Sequence, residues 1–227
     1  YMNQIKLEPI KRNEALRYLG YRNTQLDENI LSLIDECEEE VRKIANPRYV
    51  YKVFDFEEVS DGIHFLGSNL VLTGNSIKNH LRNCEKAIAM AVTIGEGIDR
   101  QIRILSHTDL ARSGVFDAFS SACVEQVCDK VEEILREEFN GYNLTFRFGI
   151  GYGDLALKHQ KTFIKVLDAT RQIGINVGTT DMMIPTKSVT AIIGLCKEEI
   201  QKNNRNCADC NLNSNCNISK TGNHCYD

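Results

Sequence analysis

Residues 147–195 read RFGIGYGDLALKHQKTFIKVLDATRQIGINVGTTDMMIPTKSVTAIIGL, and the fold of the chain turns on this stretch. The strand-like run Leu144 to Phe148 delivers Arg147 into a turn where Gly149, Gly151 and Gly153 alternate, with Tyr152 between the last two. Glycine lets backbone groups approach a ligand closely and tolerates positive φ. An arginine beside such a turn can hold a carboxylate through two parallel N–H···O bonds. A helix then runs to a stop at Gly174, a short strand follows, and Met183-Ile184-Pro185 leads into the apolar run Val189–Ile193. Loop, helix and two returning strands predict one wall of a small-molecule site.

The chain before this stretch supplies helices and further strands. IKRNEALRYLGY predicts a short helix ending near Gly20, and Asp27 is placed to cap LDENILSLIDECEEEVRKIA. There Ile30, Leu33, Ile34, Cys37 and Val41 fall on one face. The acidic run Asp35–Glu40 reads as a solvated face. YVYKVFDF (49–56) and GIHFLGSNLVLTG (62–74) predict a hairpin or small meander turning at Gly67-Ser68-Asn69. Asn75 or Ser76 would cap a short helix. KAIAMAVTIG (86–95) reads as a strand buried on both faces, followed by a helical turn or two from Ile98 to Leu105. Thr108 or Asp109 then opens a long helix reaching toward Phe139, with Leu110, Phe116, Phe119, Cys123, Val127, Val131, Ile134 and Leu135 inward. The expected fold is α+β: a mixed, largely antiparallel twisted sheet with flanking helices, one of them long, and an irregular Cys-rich C-terminal tail.

Composition narrows the function classes. Hydrophobic residues at 42% and charged residues at 26% describe an ordinary globular chain. A net charge of −4 argues against a nucleic-acid surface, where clustered Lys and Arg neutralise phosphates. No apolar run approaches the roughly 20 residues that span a bilayer, so no membrane partner is expected. The opening YMNQIKLEPIKRNE lacks the apolar core of a signal peptide, which predicts a cytoplasmic protein. His64, His80, His107 and His159 show no ligand spacing with one another, and nothing resembles a Ser–His–Asp or Cys–His nucleophilic set.

The order R-x-G-x-G-Y, helix, I-G, short strand, M-x-P-x-x-S-V, apolar strand resembles the activation domain of cobalamin-dependent methionine synthase. The matching residues are Arg147, Gly149, Gly151, Tyr152, Ile173, Gly174, Met183, Pro185, Ser188 and Val189. EALRYLGY, AIAMAVTIG and a long helix opening near S-x-x-D extend the similarity to about residues 10–200. The resemblance implies an S-adenosylmethionine-binding module that supports reductive methylation of cob(II)alamin, a component of a methyltransferase acting in reactivation. It implies cobalamin carried by a partner methionine synthase, with flavodoxin or a similar protein as electron donor. It assigns S-adenosylmethionine binding to Glu125, Arg147, Gly149, Gly151 and Tyr152. Tyr152 also takes the catalytic place between that ligand and the upper face of the corrin. On spacing alone Glu125 reads as a solvent-facing helix residue; for Arg147 a surface ion pair is the alternative, and its place at a strand end against three glycines favours a ligand. Met182-Met183-Ile184-Pro185 reads as core, or as the apolar floor of the ligand contact. Where the family has an N-terminal aspartate ligand this chain has Lys11, and it lacks the family's C-terminal aromatic contacts. A reactivator of another corrinoid methyltransferase would keep the same site.

The expected domain covers residues 2–202, and residues 203–227 form a tail too poor in apolar residues to bury a core. Cys207-x-x-Cys210 is a chelate spacing that Cys216 and Cys225 complete, with His224 as a substitute; zinc, an iron–sulfur cluster or a flexible thiol-rich tail are the three readings. A metal-binding interaction module without methyl chemistry would rest on this tail alone. Cys37, Cys84, Cys123, Cys128 and Cys196 read as small buried hydrophobes.

Overall fold

A strand that alternates large and small apolar residues has to be covered on both faces, by layers approaching to different depths. The strand Lys86–Thr93 is of this kind. In the computed structural model, which describes residues 3–21 and 27–198, everything in it beyond Lys86 is buried. Ile88, Met90 and Val92 join one apolar cluster, while Ala87, Ala89 and Ala91 join the other on the opposite face.

In chain order, β1 (Asn3–Gln4) precedes α1 (Arg12–Tyr18) and α2 (Glu28–Ile44). The Asp27 carboxylate accepts the Ile30 N–H at 2.9 Å and so opens α2 as expected. The strand β2 (Arg48–Phe54), expected to pair with residues 62–74, belongs instead to the main sheet beside the strand Lys86–Thr93, and the meander is built from β3 (Phe56–Val59), β4 (Gly62–Phe65) and β5 (Val71–Thr73). Next come α3 (Asn75–Leu81), β6 (Lys86–Thr93), α4 (Glu96–Thr108) and the 29-residue α5 (Leu110–Glu138), capped by Asp109 through the Arg112 N–H at 3.0 Å. The last part holds β7 (Asn143–Leu144), β8 (Phe148–Gly149), α6 (Gln160–Leu167), α7 (Ala169–Ile173), β9 (Asn176–Val177), β10 (Met183–Ile184) and β11 (Ser188–Cys196).

The main sheet runs β1–β2–β6–β11, and the outer side of β11 takes both β7 and β8. Every pairing among the described residues is antiparallel. The long helix α5 lies on the large-residue face and packs against α1, α2 and α4. Its buried small residues Ser113, Ala118, Ser120 and Ala122 allow close packing. The alanine face of β6 admits Phe65, Phe163 and Ile164 from the meander and α6.

Several local expectations change in the folded chain. The first cap of α3 is neither Asn75 nor Ser76: Asp154 accepts both of their N–H groups, at 2.7 and 2.9 Å, from 79 and 78 residues away. The acidic run of α2 is not simply solvated, because Glu38 is buried and accepts the Ile10 N–H and the Arg12 guanidinium. Glu40 likewise pairs with Arg112. Leu110, at the first turn of α5, points into solvent. The helix before Gly174 breaks at Asp168, which adopts a left-handed φ of 54° that Asp tolerates better than most residues. Met182 and Ile184 are exposed, whereas Met183 packs on the core and Pro185 is buried. The helix from Ile98 extends well past two turns.

Candidate functional site

The strand expected from Leu144 to Phe148 is interrupted, and the interruption builds the site. Leu144 pairs with Leu195 and Phe148 with Ile192, so three residues on one strand face two on β11. One extra residue in a ladder is a β-bulge, which re-aims the side chains around it. Strict alternation would put residues 144, 146 and 148 on one face. Instead Leu144 packs on the α5 side, while Phe146 and Phe148 pack on the opposite side. Arg147 consequently points at α5. Thr145 stitches the bulge to β11, donating its N–H to the Gly194 carbonyl at 3.0 Å and accepting the Gly194 N–H on its hydroxyl at 2.7 Å.

On α5, Glu125, Asp129 and Glu132 are spaced by four and then three residues and so share a face. All three reach Arg147. Its Nη2 donates to Glu125 Oε2 at 3.0 Å; its Nη1 donates to Asp129 Oδ1 at 3.1 Å and Glu132 Oε1 at 2.6 Å. The outer carboxylate oxygens are also held. Arg136 donates to Glu132 Oε2 at 2.9 Å, and Lys11 Nζ to Asp129 Oδ2 at 3.1 Å. Burial works against the Arg147 charge, but the anionic surroundings offset it and keep the guanidinium above the ordinary arginine value. Burial also pushes the Cys128 thiol upward. Arg147 is no half of a surface pair: its side chain is 9% exposed and serves three partners.

After Gly149 the chain turns sharply. The Tyr152 N–H donates to the Gly149 carbonyl at 3.2 Å and the Gly151 N–H to the Leu155 carbonyl at 2.9 Å. Gly151 and Gly153 take positive φ, 94° and 58°. A side chain at Gly153 would collide with Ser76 Oγ, so the turn can lie against α3 only with glycine there. Gly149, by contrast, is an ordinary strand residue opposite Ala191. The Tyr152 ring meets Phe148 edge-on, with centroids 5.5 Å apart.

Between α5 and the β8–β11 edge lies a cleft of about 150 Å³ lined by Glu125, Phe146, Arg147, Gly149, Tyr152, Val189 and Ala191. The structure thus brings Glu125, Arg147, Gly149 and Tyr152 together, and Gly151 shapes the turn behind them without lining the cleft. Asp129 and Glu132 escaped the sequence reading. Their signal was the acidic 125/129/132 spacing on a helix expected to be apolar inward. A larger hollow, of about 280 Å³, lies on the other side of the sheet between α6 and β9. Its lysine Lys161 already pairs with Asp181 at 3.3 Å. The smaller cleft, where charge converges on a buried guanidinium, is the stronger site.

The fold is similar to that of the MetH reactivation domain. The crystal structure of that domain bound to AdoHcy aligns with a TM-score of 0.64 over 88% of this chain and 80% of that one, at 14% identity. At that identity the likeness establishes the architecture. No family model and no curated protein sequence matches the chain. Among the described residues no His/Cys/Asp/Glu group is arranged to hold a metal ion, and no helix is long and apolar enough to cross a membrane. The thiolate set Cys207, Cys210, Cys216 and Cys225 lies outside the described residues.

Proposed function

We propose that the chain binds S-adenosylmethionine at the α5–β8 cleft and supports reductive methylation of cob(II)alamin on a partner methionine synthase, with flavodoxin or a similar protein as donor. The observation that carries this reading is the pairing of Glu125 and Arg147 across one small cleft, in a fold whose solved counterpart holds AdoHcy. An α-amino acid is a zwitterion, and it fits where a carboxylate already faces a guanidinium. Its carboxylate takes the Arg147 fork and its ammonium takes Glu125, so insertion preserves the charge balance of the site. The cleft is smaller than the roughly 300 Å³ that encloses a whole drug-sized ligand. The amino-acid end would therefore enter it, and the nucleoside would lie along the rim. S-adenosylmethionine supplies an electrophilic sulfonium methyl. The chain's contribution is to hold that group in position, with Tyr152 at the cleft wall screening the approach from water. No general acid or base is needed.

Calorimetric titration of the full chain with S-adenosylmethionine tests the binding. Arg147→Lys keeps the charge but loses the planar fork, and is expected to weaken binding by about 1.5–3 kcal/mol. Equal affinity in variant and wild type would remove Arg147 from the site. Failure of the wild type to restore any cobalamin-loaded methionine synthase in the presence of reductant would refute the reactivation role.

A further inference from the structure

The three carboxylates on Arg147 differ in how firmly they are held. Glu125 is 46% exposed, lines the cleft, and among the described residues pairs with Arg147 alone. Asp129 is as exposed but stands off the cleft, with its second oxygen on Lys11. Glu132 is 11% exposed and bridges two arginines, with one oxygen on Arg147 Nη1 at 2.6 Å and the other on Arg136 at 2.9 Å.

We propose that Glu132 is a positioning residue for ligand binding: it anchors Arg147 Nη1 so that Nη2 faces the cleft, and Glu125 is the partner that an incoming carboxylate displaces. This rests on the reading of the cleft as an S-adenosylmethionine site. A guanidinium is planar, so fixing one terminal nitrogen restricts where the other can point. Glu132 cannot leave without stranding a buried charge, which is costly. Glu125 can turn to water at little cost, because a half-exposed pair is worth little. The division of roles follows from burial: the inner carboxylate orients the fork, and the outer one yields its place and then meets the ligand ammonium.

The test is to titrate full-length wild type, Glu132→Gln and Arg136→Gln with two ligands. One is S-adenosylmethionine; the other is its decarboxylated analogue, which keeps the sulfonium and the amine but lacks the carboxylate that Arg147 would hold. Glu132→Gln should lose about tenfold in affinity for S-adenosylmethionine, the scale of one charged hydrogen bond, and bind the analogue as wild type does. Arg136 is more than half exposed. Arg136→Gln, which should fold even if Glu132→Gln does not, is expected to show a smaller loss with the same selectivity. A merely structural role would weaken both ligands alike. Equal loss of both ligands, or no loss of either, overturns the assignment of Glu132. Failure of the wild type to bind either ligand overturns the reading of the cleft itself, and the assignment with it.

Discussion

Replacing Arg147 by methionine keeps most of the buried stem and removes only the charge, so the cost can be assembled from the partners left behind. Glu132, at 11% exposure, loses a buried cation 2.6 Å away. Breaking a buried pair by deleting one partner costs about 3–5 kcal/mol, and the low end applies because Arg136 remains. Glu125 and Asp129, both 46% exposed, add at most about 1 kcal/mol each, and Asp129 keeps Lys11. The expected loss is about 3 kcal/mol, or about 6–12 °C in Tm for a domain of this size. Adding Glu132→Gln removes the stranded charge, so the double variant should recover about half of that loss. Urea denaturation followed by far-UV circular dichroism, with slopes compared to exclude a change in the unfolded state, reads both values. If the double variant is as unstable as the sum of the two single ones, the Arg147–Glu132 pair is not coupled and the account of the site is wrong.

Other perturbations probe the scaffold and the proposed chemistry. Asp154→Ala removes the long-range cap of α3 and should cost about 1 kcal/mol in chemical denaturation. Burial acts to raise the Asp154 pKa, but hydrogen bonds from Ser76 and Asn75 outweigh it and hold the carboxyl below its ordinary range. Its stabilisation is therefore complete above the unfolded value of about 3.9 and fades as pH falls through the lower folded value, where wild type and variant should converge. Gly194→Ala would press a methyl onto Cys84 Sγ, with Leu81 and Thr145 carbons each 3.1 Å away. The expected cost is about 1–3 kcal/mol, with most of it recovered by adding Cys84→Ala; a variant as stable as wild type would show that the strand can shift there. Tyr152→Ala forfeits the edge-on contact with Phe148, worth about 0.5–1.5 kcal/mol. It should leave S-adenosylmethionine affinity nearly intact and slow reductive methylation of partner-bound cobalamin, read from the corrin absorption spectrum. Unchanged reactivation would remove Tyr152 from that role.

What could be read from the sequence alone is what local physics dictates. The β-strand at 86–93, the β4–β5 hairpin, the caps at Asp27 and Asp109 and the long α5 follow from periodicity and from side chains that bond the backbone three residues away. The cleft residues Arg147, Gly149 and Tyr152 were legible through the order of arginine, glycines and tyrosine in one stretch, and Glu125 only through the family resemblance. The folded chain decided the rest. Leu144–Phe148 has the composition of an unbroken strand, and nothing local marks the extra residue that turns Arg147 toward α5; the bulge exists because β7 and β8 must both register on β11. Asp154 looks like a loop residue until α3 arrives from 79 residues upstream. Asp129 and Glu132 look like solvated helix charges until the bulge places a guanidinium between them. Each of these depends on where two elements distant in sequence cross, and the energy of that crossing lies in the packing of the sheet and α5, not in the residues' immediate neighbours.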